Sequence, residues 1–195
     1  MKPMYKINET FYSLQGEGFY SGTPAFFIRF SGCNLSCPFC DTQHAGGVLR
    51  SLDSLLAEAG SCPARHVVLT GGEPSLFADA ALTAGLHRIG KFIAIETNGT
   101  HPLPPGIDWV TLSPKDGLAP NALTVLTQCD ELKVVYRGQY LAPYAAISAR
   151  HRYLQPCASG DAQADRENTR ATVEACLRQP EWCLSLQTHK LLAIR

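Results

Sequence analysis

The chain has 195 residues, with 17 Lys and Arg against 17 Asp and Glu, and 45% apolar side chains. That length favours one domain, expected over residues 1–195, with a substantial core; the formal net charge of zero argues against a broad basic face for nucleic acid or anionic lipid. No run is apolar enough to cross a bilayer, and Met1–Thr10 carries no apolar signal core, so the cytoplasm is the expected address.

In chain order, Ala25–Phe30 reads as a strand and Ser51–Ala59 as a helix with Leu52, Leu55 and Leu56 on one face. His66–Thr70 reads as a strand, Ser75–Arg88 as a helix, and Lys91–Glu96 and Ile107–Leu112 as strands. A helix is expected over Leu118–Gln128, a strand over Glu131–Tyr136 and a helix around Tyr140–Ala149. His151–Gln155 is a further strand, Asp165–Leu177 a helix and Cys183–Gln187 a last short strand. Strands alternating with helices imply an α/β fold with a mainly parallel sheet. There are too few units for a closed eight-fold barrel, so the expectation is an incomplete TIM-like barrel, about (β/α)6. The connection from Glu96 to Ile107 is too short for a full crossover helix.

The segments at the C-terminal ends of the strands are chemically loaded. The cysteine loop comes after the first strand, Gly71-Gly-Glu-Pro74 after the second, and Glu96-Thr-Asn-Gly99 ends the third. Ser113-Pro-Lys115, Gln155-Pro156 and Gln187-Thr-His-Lys190 end later ones. In parallel α/β folds the C-terminal strand edge is where sites are assembled, because successive loops converge there.

Of the eight cysteines, Cys33, Cys37 and Cys40 sit together in Gly32-Cys-Asn-Leu-Ser-Cys-Pro-Phe-Cys-Asp-Thr42. A tight cluster in a chain without an export signal reads as metal binding rather than a disulfide framework. Cys62, Cys129, Cys157, Cys176 and Cys183 are scattered and read as small buried side chains. Soft thiolates suit iron–sulfur clusters or zinc. A structural [4Fe–4S] cluster takes four cysteines, so three would leave one iron open to a cofactor. A zinc site with a distant fourth cysteine is the alternative.

The C-x3-C-x2-C spacing, with Phe39 before the third cysteine, resembles the radical S-adenosylmethionine (SAM) superfamily. The resemblance implies that the open iron chelates SAM and that one electron cleaves SAM to a hydrogen-abstracting radical, so no side chain need act as a catalytic acid or nucleophile. Phe11-Tyr-Ser-Leu-Gln-Gly-Glu-Gly18, Cys40-Asp-Thr42, Gly71–Pro74, Glu96–Gly99 and Ser113–Lys115 together resemble the 7-carboxy-7-deazaguanine synthase family, from about Thr10 onwards. That family implies a lyase that contracts the ring of 6-carboxy-5,6,7,8-tetrahydropterin with loss of ammonia, on the way to queuosine and other 7-deazapurines. It also implies SAM regeneration, Mg²⁺, a homodimer and an electron donor such as a flavodoxin or ferredoxin.

Carried over residue by residue, the resemblance places Leu14, Gln15, Gly16, Glu17, Arg29 and Thr70 at the substrate. It places Phe39, Cys40, Asp41, Gly72, Glu73, Glu96, Ser113, Pro114, Lys115 and Gln155 at SAM, Cys33, Cys37 and Cys40 on the cluster, and Thr42 on Mg²⁺. The chemistry of these groups agrees. Paired glycines let backbone approach an ammonium, the planar fork of Arg29 matches a carboxylate, and a hydroxyl suits a hard cation. For Arg29 the alternative is a solvent-facing strand position; for Glu96 and Ser113 it is strand-end capping, and for Lys115 a solvated loop. His189 and Lys190 are candidates for the pocket rim. Some relatives carry an enlarged cysteine loop, absent here, or a terminal proline where this chain has Arg195. Other readings are a different radical SAM enzyme, such as a glycyl-radical-enzyme activase, or a non-catalytic iron–sulfur or zinc protein.

Overall fold

The computed structural model describes residues 3–195. Its sheet begins with three antiparallel strands, β1 (Met4–Leu14), β2 (Pro24–Phe30) and β3 (Val48–Ser51), with β1 in the middle. From β2 the sheet continues in parallel through β4 (His66–Gly71), β5 (Phe92–Thr97), β6 (Trp109–Leu112), β7 (Gln128–Tyr136), β8 (Ser148–Pro156) and β9 (Cys183–Leu184). The order β3-β1-β2-β4-β5-β6-β7-β8-β9 is open, so the architecture is the expected α/β partial barrel.

The helices are α1 (Leu52–Ser61), α2 (Ala80–Arg88), α3 (Ala162–Arg178) and the short α4 (Thr188–Leu191). The first three begin on side-chain caps, which satisfy amide donors that have no partner within the helix. Ser51 accepts from Ser54, Asp79 from Leu82, and Asp161 from Gln163 and Ala164.

Several expected elements differ. The helix expected over Leu118–Gln128 is an irregular loop. Pro120 and the left-handed Asn121 (φ 57°) break the helical path, Asp116 accepts from the Thr124 amide, and Val125 donates instead to the Gly99 carbonyl. The stretch Ser75–Arg88 splits into a 3₁₀ turn (Pro74–Leu76) and α2, because Asp79 is bound both to the Leu82 amide and to the Tyr5 hydroxyl (2.7 Å). Around Tyr140–Ala149 only a 3₁₀ turn forms, Ala142–Ala146, since Ser148 and Ala149 already belong to β8. The last strand covers two of its five expected residues. β1 and β3 have no counterpart among the expected elements. The barrel is thus trimmed, with no helix on the β5–β6 or β6–β7 crossing.

Side chains alternate across the sheet, as strand geometry requires. Phe26, Ile28 and Phe30 of β2 pack with Val67, Leu69, Ile93 and Ile95 and with Leu55, Leu82 and Leu86 of α1 and α2. Each of these fully buried side chains contributes roughly 1.5–3 kcal/mol of hydrophobic stabilisation. A second cluster joins Leu132, Val134 and Leu154 to Tyr144, Ala175 and Trp182. On the opposite, concave face, Ala25, Phe27, Val68, Ala94 and Trp109 form a floor. Trp109 there meets Phe19 at 5.0 Å and Tyr20 at 4.8 Å between ring centres. This aromatic floor lies towards the strands' N-terminal ends and leaves the concave space on the side of their C-terminal ends.

Candidate active site

A cavity of about 690 Å³ occupies that end. It is lined by strand side chains that alternate with the outward core set, namely Arg29 and Phe27 of β2, Val68 and Thr70 of β4, Glu96 of β5, Lys133 and Val135 of β7 and Gln155 of β8. The register sets Arg29 beside Thr70, and Val135 beside Gln155. Sequence alone points to loops as the builders of the site, but much of its wall is rigid sheet.

The other expected residues that line it are Leu14, Gln15, Gly16, Glu17, Cys33, Cys37, Phe39, Cys40, Asp41, Thr42, Gly72, Glu73, Ser113 and Lys115. Pro114 alone is not part of the lining.

The three loop cysteines are free thiols facing this space, and no other cysteine lines it. The loop is held by its ends: Gly32 donates to the His44 carbonyl and Cys40 to the Cys37 carbonyl. The Leu35 amide points at the Cys33 sulfur, 3.4 Å away. Burial pushes the Cys33 and Cys37 thiols up, and nearby Lys115 draws Cys37 partly back. Gly72 lies so close that a side chain there would sit 1.9 Å from the Gly32 carbonyl oxygen and 3.0 Å from Cys33 Cβ. The glycine therefore lets the loop after β4 seat the cysteine loop. Three thiols on one loop, open on the cavity side, fit a [4Fe–4S] cluster with one iron left for an external ligand.

Glu73 has a different place from a free ligand. It is 1% exposed, and its carboxylate accepts from the Ser75 amide, the Thr97 hydroxyl (2.7 Å) and the Asn98 amide (2.7 Å). It ties the loop after β4 to the end of β5. Asn98 in turn donates to Asn34 in the cysteine loop.

Lys133, not anticipated from sequence, stands at the centre of the opposite wall. Its side chain is 4% exposed, and its Nζ donates to Glu17 (2.6 Å) and to Glu96 (2.9 Å). Burial works against its charge, but Glu17, Glu96 and Glu131 outweigh burial and hold the ammonium above lysine's usual range. Burial also opposes ionisation of Glu17, yet Lys133 and the Gln187 amide hold that carboxyl below its usual range. Gln15 donates to the other oxygen of Glu96 (3.1 Å). Glu131 accepts from the Phe19 amide, and burial pushes its carboxyl up to about 7. The left-handed Gly18 (φ 65°) packs on it, where any side chain would overlap its carboxylate. The sequence does carry a signal for this wall: Glu131, Lys133 and Val135 alternate with Leu132 and Val134, which puts two charges on the inner face.

Arg29 points inward and finds the partner that burial demands. Its Nε donates to Glu9 (2.9 Å), whose other oxygen pairs with Arg195 (3.0 Å). Both guanidinium carbons lie 5.6 Å from the Phe11 ring centre.

The C-terminal segment crosses the rim. Gln187 donates to Glu17 (2.8 Å) and Asp41 (3.2 Å), Lys190 to Asp41 (2.6 Å), and Thr188 to the Gly16 carbonyl. His189 packs against Gly16 so tightly that a Cβ there would meet its ring at 2.2 Å. His189 and Lys190 therefore do belong to the rim. Lys115 turns back to the Ser113 hydroxyl (2.7 Å), and Gln155 accepts from Ser185. Thr42 lines the cavity beside Asp41.

Residues 27–117 match the model of the Radical SAM superfamily. A 7-carboxy-7-deazaguanine synthase from Bacteroides thetaiotaomicron is 56% identical over 98% of this chain and 100% of its own. The chain belongs to the 7-carboxy-7-deazaguanine synthase family. The Burkholderia multivorans member is 42% identical, covering 97% of this chain and 99% of its own. The crystal structure of QueE from Escherichia coli superposes with a TM-score of 0.74 at 34% identity, covering 95% of each chain. Family membership brings the [4Fe–4S] cluster and SAM with it and favours neither the zinc reading nor a glycyl-radical-enzyme activase. Among the described residues no helix is long and apolar enough to cross a membrane.

Proposed function

We propose that the chain is a lyase that converts 6-carboxy-5,6,7,8-tetrahydropterin to 7-carboxy-7-deazaguanine and ammonia, the ring contraction that opens 7-deazapurine and queuosine synthesis. The conversion is redox-neutral, since substrate equals product plus ammonia. The observation that carries the reading is one cavity faced both by three free thiols and by a buried carboxylate–lysine wall with an inward Arg. When bound, the cluster and SAM supply a hydrogen-abstracting radical.

The chain's own residues bind, orient and exclude water. Cys33, Cys37 and Cys40 ligate the cluster. Gly72 lets its loop approach SAM's amino group, and Glu73 fixes that loop from beneath through its bonds to Ser75, Thr97 and Asn98. Phe39, Asp41, Ser113, Lys115 and Gln155 surround the nucleoside and methionyl parts; Pro114 acts only by shaping the loop that presents its two neighbours. Glu96, at the end of β5 and bonded to both Lys133 and Gln15, serves both ligands. The substrate's ring edge presents N–H donors, which suit Glu17 and the carbonyl of Leu14, with Gln15, Gly16 and Thr70 beside them. Its carboxylate suits Arg29, whose donors beyond Nε remain to be matched. Thr42 gives a hydroxyl oxygen to Mg²⁺, which prefers oxygen ligands and retains waters. The aromatic floor and the Gln187–Lys190 strap keep bulk water from a reactive carbon centre.

Residues 1–195 act as one domain, as a cytoplasmic homodimer served by a flavodoxin-like or ferredoxin-like donor. The test is anaerobic turnover: reconstituted, reduced protein with the tetrahydropterin, SAM and Mg²⁺ yields the deazapurine. SAM cleavage without that product would mean another radical SAM reaction.

A further inference from the structure

Resting on the substrate assignment just made, we propose that Lys133 is a positioning residue that sets the spacing of Glu17 and Glu96 and thereby selects the substrate's donor edge. The warrant is geometric. Glu17 lies in the loop after β1 and Glu96 at the end of β5, two elements far apart in the chain that meet at the cavity. One buried ammonium bonds a carboxylate oxygen of each, at 2.6 and 2.9 Å. The second oxygens are turned to Gln187 and to Gln15. An ammonium is a compact point charge with three donors, so it can hold two carboxylates at a short, fixed separation where a planar guanidinium would spread them.

The third carboxylate, Glu131, completes the device from below. It sits on the same strand and face two residues earlier, and it takes the Phe19 amide (3.1 Å), which anchors the loop carrying Glu17. Glu17 and Glu96 around one ammonium leave the wall net negative. Such a wall favours a heterocycle that presents several N–H donors and disfavours an isostere that presents acceptors, because the carboxylates would then face lone pairs in a water-poor site. Lys133 acts through Glu17 and Glu96, which take two of its three donors.

The test uses reconstituted holoenzyme with SAM, in wild type, Lys133→Met and Lys133→Arg. In Lys133→Met the substrate KM is expected to rise by about tenfold or more, because the substrate depends on both carboxylates, and the SAM KM, which depends on Glu96 alone, by about threefold or less. Lys133→Arg keeps the charge but widens the spacing, so its substrate KM rises several-fold with the SAM KM again moving less. If Lys133→Met does not fold, the Arg variant decides. Equal changes in both KM values, or none, in a folded variant overturn the proposal. A crystal structure of Lys133→Arg, or of Lys133→Met if it folds, gives an answer independent of the substrate. The two carboxylates are expected to move apart, and unchanged positions overturn the proposal. Wild-type protein that makes no deazapurine would remove the substrate reading while leaving that crystallographic comparison intact.

Discussion

The two walls of the cavity are built on opposite principles. The cysteine loop is mostly exposed or half-exposed, tied at its ends, and its thiols make few bonds of their own. The lysine wall stands on β5, β7 and the loop after β1; its ammonium is buried, its carboxylates are buried or half-buried, and most of their oxygens are matched before any ligand arrives. The first wall is completed by what it binds. The second is finished in advance and can therefore discriminate. Metal binding supplies order on one side, and preorganisation supplies it on the other.

The comparison breaks most visibly at the cysteines. Cys37→Ala leaves two thiolates for a cluster that needs three, so cluster content, read from visible absorbance after reconstitution, should fall to background and activity with it. Full activity in that variant would end the distinction.

Glu73 joins the two walls, and Glu73→Gln tests whether that joint is structural. One of its three donors would then face an amide N–H₂, a loss of about 1.5–3 kcal/mol. For a chain of this length that is a fall in melting temperature of about 5 °C. An unchanged melting temperature would mean that Glu73 does not fasten the loop after β4 to the end of β5.

Glu131 tests the lysine wall through pH. Burial raises its folded-state pKa to about 7, above the ordinary value of a free glutamate. Between those two values the folded state binds the extra proton, so this group's contribution becomes less favourable as pH rises towards 7. Glu131→Gln should therefore gain stability over wild type at pH 8, on the order of 1–3 kcal/mol. The gain should shrink as pH falls towards 5. A gain independent of pH would contradict the assignment.

The smallest effect belongs to the exposed strap. Lys190→Ala removes a pair with Asp41 whose partners are both nearly half exposed, so stability should change by less than about 1 kcal/mol.

Legibility in the sequence divides along the same line. β2, β4 and β5 are readable because they are buried on both faces over most of their length and so form continuous apolar runs, and their C-terminal loops are readable because glycine, cysteine and proline punctuate them. β1 is not, since its residues are mostly polar and half-buried and the end of the strand carries a motif that reads as loop. Spaced apolar residues suggest a helix over Leu118–Gln128, yet Leu123 and Val125 are exposed and Pro120–Asn121 sets the path. Arg29 stands out as a charge within an apolar strand; Lys133 carries the same signal but has charged neighbours that mask it. Glu73 looks aimed at a ligand because it adjoins two glycines; only the fold shows Ser75, Thr97 and Asn98 converging on it. The latch from Gln187 and Lys190 to Asp41 joins residues far apart in sequence, and no local pattern encodes such a contact.

The central claim is that three thiolates hold a cluster with one iron free for SAM. Mössbauer spectroscopy on protein reconstituted with ⁵⁷Fe, before and after SAM, tests it most directly. SAM is expected to shift the signal of a single iron site and leave the others unchanged. A cluster whose irons are all protein-ligated, with a spectrum indifferent to SAM, would contradict it.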